Sequence, residues 1–360
     1  MWIMKLRIFW CMVFVLAVGG AAGATVTVTE FPICTNGHAS SPAISGNTVV
    51  WTDRRDGTSN IYGYSLATRE EFSICTNGHA GDPAISGNTV VWSDRRDGTR
   101  DIYGYNLVTR EEFPICTNGS PAWAAISGNT VVWMDYRNGK GDIYGYDLTT
   151  AEESLILSME SPYTSFDLRG ISGDTILLRA YLGSGCEILA YDLTAHEMST
   201  IYNWSAATAI SGDTIIWLES SSGGWSMHSY SLSTCQETIA WTIAREGVEG
   251  WGYAYTDPAI SGDTIAFRFW GYADDGSDWS KIYGYNLATH EEFLVRYIPS
   301  PPGTVYYGGV GIDNDTIVWP DRGNIYGETI NSIPEPGTVA LIAPALLGFA
   351  GIVWRRMRKG

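Results

Sequence analysis

The side chains able to do chemistry are few, and most of them recur. Histidine occurs at 38, 79, 196, 228 and 290. His38 and His79 occupy equivalent places in two near-identical segments, and a third segment has Ser120 there, so neither reads as a unique base. There is no His-Glu-x-x-His zinc helix, no Gly-x-Ser-x-Gly elbow and no phosphate-cradling glycine loop. Chemistry on a sugar polymer would need two acids, or His with Arg, converging in space. Asp53, Asp94 and Asp135, followed by Arg54-Arg55, Arg95-Arg96 and Arg137, repeat once per segment. That repetition suits turn hydrogen bonds and ion pairs between neighbouring units better than a centre built once. Cys34, Cys75 and Cys116 are likewise repeat equivalents and belong to no Cys-x-x-Cys. Equivalent points on adjacent units lie beyond the roughly 7 Å Cα limit of a disulfide, so these three are expected unpaired.

The most individual stretch runs from Ile239 to Glu292, with an insertion over 245–253 and an enlarged loop from Trp270 to Trp279. Trp251, Tyr253, Trp270 and Trp279 are the candidate ligand-binding residues, as exposed rings that stack on a sugar beside carboxylates that bond its hydroxyls. Asp274, Asp275 and Asp278 are the oxygen cluster that would hold a Ca²⁺; the alternative is a solvated acidic loop. No other cofactor is expected, and no residue is assigned a catalytic role.

These residues hang on a repeat. Phe31–Glu71 and Phe72–Glu112 are 41 residues long and differ at eight positions. The phrase Ile44-Ser45-Gly46-Asn47 returns in worn form at Ile85, Ile126, Ile171, Ile210, Ile260 and Ile312. Seven residues beyond each Ile stand Trp51, Trp92, Trp133, Leu178, Trp217, Phe267 and Trp319. Seven units of this length and strand-like content mean propeller blades or solenoid turns. Within unit one, Pro42–Ser45, Thr48–Asp53, Asn60–Leu66 and Arg69–Cys75 read as four strands, joined by tight turns at Gly46-Asn47 and Asp56-Gly57. The expected fold is an all-β, seven-bladed β-propeller of four-stranded antiparallel blades. The seventh unit supplies only three strands, so Thr25–Cys34 is expected to complete the last blade and close the ring. Pro83-Ala84-Ile85-Ser86-Gly87, Trp92-Ser93-Asp94-Arg95-Arg96-Asp97-Gly98 and Asp101-Ile102-Tyr103-Gly104-Tyr105 resemble TolB-type propeller repeats. The resemblance implies a binding platform rather than any particular activity.

Composition agrees with a strand-and-turn fold. Of 360 residues, 41 are Gly, 15 Trp and 21 Tyr, and only 17% are charged, which excludes a disordered chain or coiled coil. The net charge of −17 argues against nucleic acid as a partner. Residues 1–24 carry Lys5 and Arg7, an apolar run and Ala22-Gly23-Ala24, the pattern of a signal peptide cleaved after Ala24. Residues 334–360 hold Pro334-Glu335-Pro336, an apolar segment expected as a transmembrane helix, and Arg355, Arg356, Arg358 and Lys359. This ending resembles the PEP-CTERM sorting signal, which implies processing by signal peptidase and an exosortase, transient anchoring in the inner membrane, and delivery to the cell surface or biofilm matrix. Loss of both ends removes six basic side chains and one acid, taking −17 to about −22. The expectation is therefore an exported, monomeric propeller over 25–333 that acts as a non-catalytic binding or scaffold module for exopolysaccharide or an envelope protein. It is not expected to be an enzyme. The alternatives are a polysaccharide lyase or glycosidase, or a purely structural matrix protein.

Overall fold

The computed structural model describes residues 26–183, 185–203, 208–221, 224–244, 253–254, 258–272, 278–300 and 308–332. The expected signal peptide and sorting segment lie outside these residues, and among the described residues no helix is long and apolar enough to cross a membrane. By contacts the chain divides into residues 31–327, which hold the blades, and the two chain ends, whose described part is the far ends of strands 26–34 and 324–332.

Seven antiparallel sheets follow one another. Blades 1 to 3 run from Ala39 to Cys75, Ala80 to Cys116 and Pro121 to Leu157. Blades 4 to 6 run from Ser165 to Asn203, Thr208 to Ala244 and Tyr253 to Ser300. The inner strand of blade 6 comes in two pieces, Tyr253–Ala254 and Ala259–Ser261, both paired with Thr264–Tyr272. Blade 7 is ordered Val26–Cys34, Asn324–Ser332, Thr316–Asp321, Gly311–Asp313, so the N-terminal strand is its outermost member, as expected.

A lone four-stranded blade has two apolar faces and cannot bury both. Alternation in the second strand divides them. Val49 and Trp51 pack with Ile33, Val318 and Ile325 of blade 7. Val50 points the other way, to Val90 and Trp92 of blade 2. The same step recurs between Val91 and Val131 with Trp133. Every second strand is thus buried on both sides, which explains a run such as Val-Val-Trp where a half-exposed strand would alternate with polar residues.

The worn Ile-Ser-Gly phrase proves to be a fastening. At each first turn the Gly amide donates to the serine hydroxyl of the preceding blade: Gly87 to Ser45 and Gly128 to Ser86 at 3.0 Å, Gly173 to Ser127 at 3.0 Å, Gly212 to Ser172 at 2.8 Å and Gly262 to Ser211 at 3.3 Å. Asn314 takes the glycine's place in blade 7 and donates to Ser261 at 3.0 Å. Asp313 replaces the serine there and accepts from Gly46, so the circle closes. The glycines sit at φ near +55°, where a side chain is disfavoured. Ser86→Ala should cost about 0.5–1 kcal/mol and Asp313→Ala about 1–2 kcal/mol, because the carboxylate bond is charge-assisted. Chemical denaturation of the two variants measures the difference.

Candidate functional site

The repeated Asp-x-Arg is a clamp whose carboxylate is engaged at both oxygens. Asp94 is fully buried; it accepts from Trp92 Nε1 at 3.1 Å, Asn77 Nδ2 and Arg96 Nη2 at 2.7 Å, and the Arg96 amide at 2.8 Å. Arg96 also reaches Glu112 at 2.5 Å, and its guanidinium lies 3.8 Å over the Tyr103 ring. Blades 1 and 3 repeat this with Asp53, Arg55, Glu71, Tyr62 and with Asp135, Arg137, Glu153, Tyr144. The ion pairs thus lie within a blade, contrary to the expected pairing between units. What crosses the seam is Asn36 or Asn77, with the Cys34, Cys75 and Cys116 thiols near the carboxylates at 3.7, 4.0 and 3.8 Å. Those cysteines are unpaired, as expected, and burial pushes their thiols up to about 11, 11 and 12, which removes them as nucleophiles. Burial opposes ionisation of Asp94 and Asp135 too, but bonds from the arginine and the indole outweigh it and hold both at about 2.

Blade 5 rebuilds the clamp around histidine. His228 stacks on Trp217, with Nδ1 2.7 Å from Glu237 and Nε2 3.1 Å from Glu219, the latter at ion-pair distance without hydrogen-bond alignment. Residues 219 and 237 stand where blade 1 has Asp53 and Glu71.

Three kinds of residue remain uncommitted, all at the face carrying the second-to-third and fourth-to-first strand connections. The arginine pairs split: Arg55 and Arg96 point into clamps, whereas Arg54 and Arg95 are exposed and have no side-chain partner among the described residues. Their amides bond the carbonyls of His38 and His79, so each exposed arginine stands beside an exposed histidine. In blade 3 Tyr136 replaces the free arginine and is 42% exposed. Second, the inner strands touch one another all the way round. Each of the first three is bulged at one residue of left-handed φ: Ser41 at 50°, Asp82 at 52° and Trp123 at 50°. Ser41 donates to Asp82 at 3.4 Å, and Trp123 is 56% exposed. In blade 4 the bulged residue is Arg169, 3.3 Å from Asp167. Third, a cleft of about 410 Å³ opens at the seam of blades 7 and 1 beside His38, Ser41, Arg54 and Arg322.

The residues proposed from sequence fare differently. Trp251, Asp274 and Asp275 lie outside the described residues, and of Tyr253 only the backbone, paired with Trp270, is described. Trp270 is half-buried. Trp279 is not an exposed ring: it is 6% exposed, in the core with Trp241 and Phe269. The flanking strands extend to Tyr272 and Asp278, which shortens the expected loop, and Trp279 lies over Gly271, where a Cβ would meet it at 2.5 Å. Asp278 is 3% exposed, with neither carboxylate oxygen hydrogen-bonded. Among the described residues no group of three or more His, Cys, Asp or Glu is arranged to hold a metal. The sequence reading passed over Ser41, Asp82 and Trp123, and gave Arg54 the same turn and ion-pair role as Arg55. The available signal was that two copies otherwise alike disagree at 41 and 82, and that the third puts a tryptophan there.

No family model matches the chain, and no curated protein does. Solved structures share its fold. An oligogalacturonate lyase from Vibrio parahaemolyticus is 11% identical, with a TM-score of 0.60 over 90% of this chain and 97% of that one. An acylaminoacyl peptidase from Pyrococcus horikoshii is 12% identical, with a TM-score of 0.54 over 84% of this chain and 53% of that one. TolB from Acinetobacter baumannii is 15% identical, with a TM-score of 0.47 over 72% of this chain and 66% of that one. At such identities the likeness concerns the fold alone. It nonetheless overturns the expectation that the chain is not an enzyme, because a lyase and a peptidase contain this fold, and missing sequence motifs do not separate this chain from them.

Proposed function

We propose that this chain is an exported propeller that binds polysaccharide on the face bearing Trp123, Arg54 and Arg95. Export rests on the signal peptide ending at Ala24 and on the Pro334-Glu335-Pro336 ending, which point to signal peptidase and an exosortase as processing partners and to the cell surface or matrix as destination. The observation that carries the binding reading is where the near-identical blades differ. Of the eight differences between copies one and two, Ser40/Gly81, Ser41/Asp82, Thr52/Ser93, Ser59/Arg100 and Asn60/Asp101 sit at this face, paired across adjacent strands. The other three, Pro32/Ser73, Ser65/Asn106 and Ala67/Val108, lie on the outer strand and about the third-to-fourth turn. Repeats alike in their apolar core, with five of eight differences at one end, have specialised mostly there.

Trp123 is the sharpest such specialisation. A bulky side chain at left-handed φ costs about 1–3 kcal/mol, and an indole left in solvent recovers none of it. A flat apolar ring with a polar edge is what a sugar ring stacks on. Trp123→Gly should therefore raise thermal stability while weakening retention on the bound polysaccharide about tenfold, the loss of roughly 1.4 kcal/mol of stacking. Affinity electrophoresis through gels cast with the organism's matrix polysaccharide, with and without Ca²⁺, reads the binding. New reducing or unsaturated ends are assayed on the same samples, since this face is also where chain cleavage would occur. Retention that ignores Trp123 would overturn the assignment of the face.

A further inference from the structure

The cleft at the seam of blades 7 and 1 follows from a shortened connection. Blades 1 and 2 join their second and third strands through six residues, 54–59 and 95–100, whereas blade 7 uses two, Arg322 and Gly323. Gly323 falls where the clamped arginine stands in blades 1 to 3. It has φ +73° and lies so close to the next blade that a Cβ would be 2.1 Å from the Gly37 oxygen. Its carbonyl accepts from the Ala39 amide at 2.7 Å, which holds the two blades together beneath the opening. The space that a longer connection and its arginine would fill is left open.

What lines it is chemically one-sided. Among its lining residues the charged or titratable ones are His38, Arg54 and Arg322, and no carboxylate is included. Arg54 is exposed with no side-chain partner. Arg322 is 45% exposed, bonded through Nη2 to the Pro299 carbonyl at 2.6 Å and with Nε 3.9 Å from Asp321. Ser40 and Ser41 complete the polar wall. In a chain with 39 acids against 22 bases, two arginines and a histidine facing one cleft without a lining carboxylate run against the average. At about 0.15 M salt, charges beyond about 8 Å are largely screened, so the cleft and not the net charge decides what binds there. Planar guanidinium forks fit oxyanions, and the volume falls within the range of small-ligand sites.

We propose that this cleft takes an oxyanion substituent, a carboxylate or sulfate, of an acidic glycan; the proposal rests on the glycan face argued above and adds its charge class. The test uses the purified protein with an oligouronate, the same oligomer with its carboxylates reduced to alcohols, and inorganic phosphate, by titration calorimetry. The oligouronate should bind at least tenfold tighter than its reduced form. Arg54→Ala and Arg322→Ala should each lose about tenfold toward the oligouronate, in line with one charged hydrogen-bonding partner. Arg69→Ala, an exposed arginine in the third-to-fourth strand turn at the other end of blade 1, should stay within twofold. Equal binding of the two oligomers, both dependent on Trp123, would overturn the cleft and leave the glycan face standing. Binding of neither oligomer would overturn both. Phosphate binding that needs Arg54 without oligouronate binding would assign the cleft to a free anion and overturn the glycan.

Discussion

Deleting residues 26–34 will abolish the cooperative unfolding transition of the propeller over 25–333 and leave an aggregating species. The strand is the fourth of blade 7, and without it Asn324–Ser332 becomes a nine-residue open edge, a template for pairing with another chain. Its inward residues are not spare: Ile33 and Cys34 are 7% and 4% exposed, in the same core as Trp51 and Val318. Asp53 would lose the Cys34 contact, and Asn36, which bonds it at 2.7 Å, would lose its tether. Domain stability is only about 5–15 kcal/mol, and losing a buried strand together with one of seven seams exceeds that margin. Because simple truncation removes material as well as connectivity, the decisive companion is a rearranged chain in which 26–34 follows Ser332 through a short hairpin linker. That chain opens at the seam of blades 7 and 1 but keeps every strand. It should unfold cooperatively as a monomer, read by calorimetry and sedimentation. Failure of the rearranged chain to fold, or a truncated chain as stable as the parent, would show that the ring is not closed by this strand.

The blade count and this closure were legible because both are written in spacing. Seven intervals from the Ile to a bulky apolar residue, Trp in five of them, set the number of blades, and a unit short of one strand, with an orphan strand at the far end, admits one economical repair. The turns were legible for the same reason, since Gly46 and its equivalents mark a backbone conformation that few residues adopt. The site was not. Arg54 and Arg55 are identical letters, and only the position of Asp53, Glu71 and Tyr62 sends one inward and leaves the other in solvent. Trp279 read as exposed because it closes a polar loop, yet the strands of blade 6 extend far enough to fold it onto Gly271. Conversely Trp123 went unremarked, because nothing in the sequence shows that its bulged strand turns it outward. The expectation that the chain is not an enzyme had a related weakness: convergence of side chains is spatial, and missing contiguous motifs do not decide it.

Asp94→Ala should destabilise the protein by about 3–5 kcal/mol, the range for removing one partner of a buried, hydrogen-bonded ion pair. The carboxylate is 0% exposed and satisfies an indole, an amide, a backbone N–H and a guanidinium at once, so its loss takes a bond from all four. Blade 4 shows that the fold does not need the clamp as such. It has Leu178 and Ala180 where blade 2 has Trp92 and Asp94, and both are fully buried. The cost therefore belongs to the stranded partners, and Asp94→Ala combined with Arg96→Ala should be less destabilised than the two single changes summed, a coupling a double-mutant cycle measures directly. The pH dependence has a definite sign. Asp94 and Asp135 are held at about 2, below an unfolded value of about 3.9, so their contribution is complete above about pH 4. It is lost as pH falls from about 4 toward 2, because the unfolded chain takes up protons that the clamps refuse. Asp94→Asn keeps an acceptor but has no proton to take up, so its stability should fall less steeply than the parent's between about pH 4 and 2. Parallel pH profiles for the two would place the acid sensitivity elsewhere and show the clamp to be a weaker pair than its geometry implies.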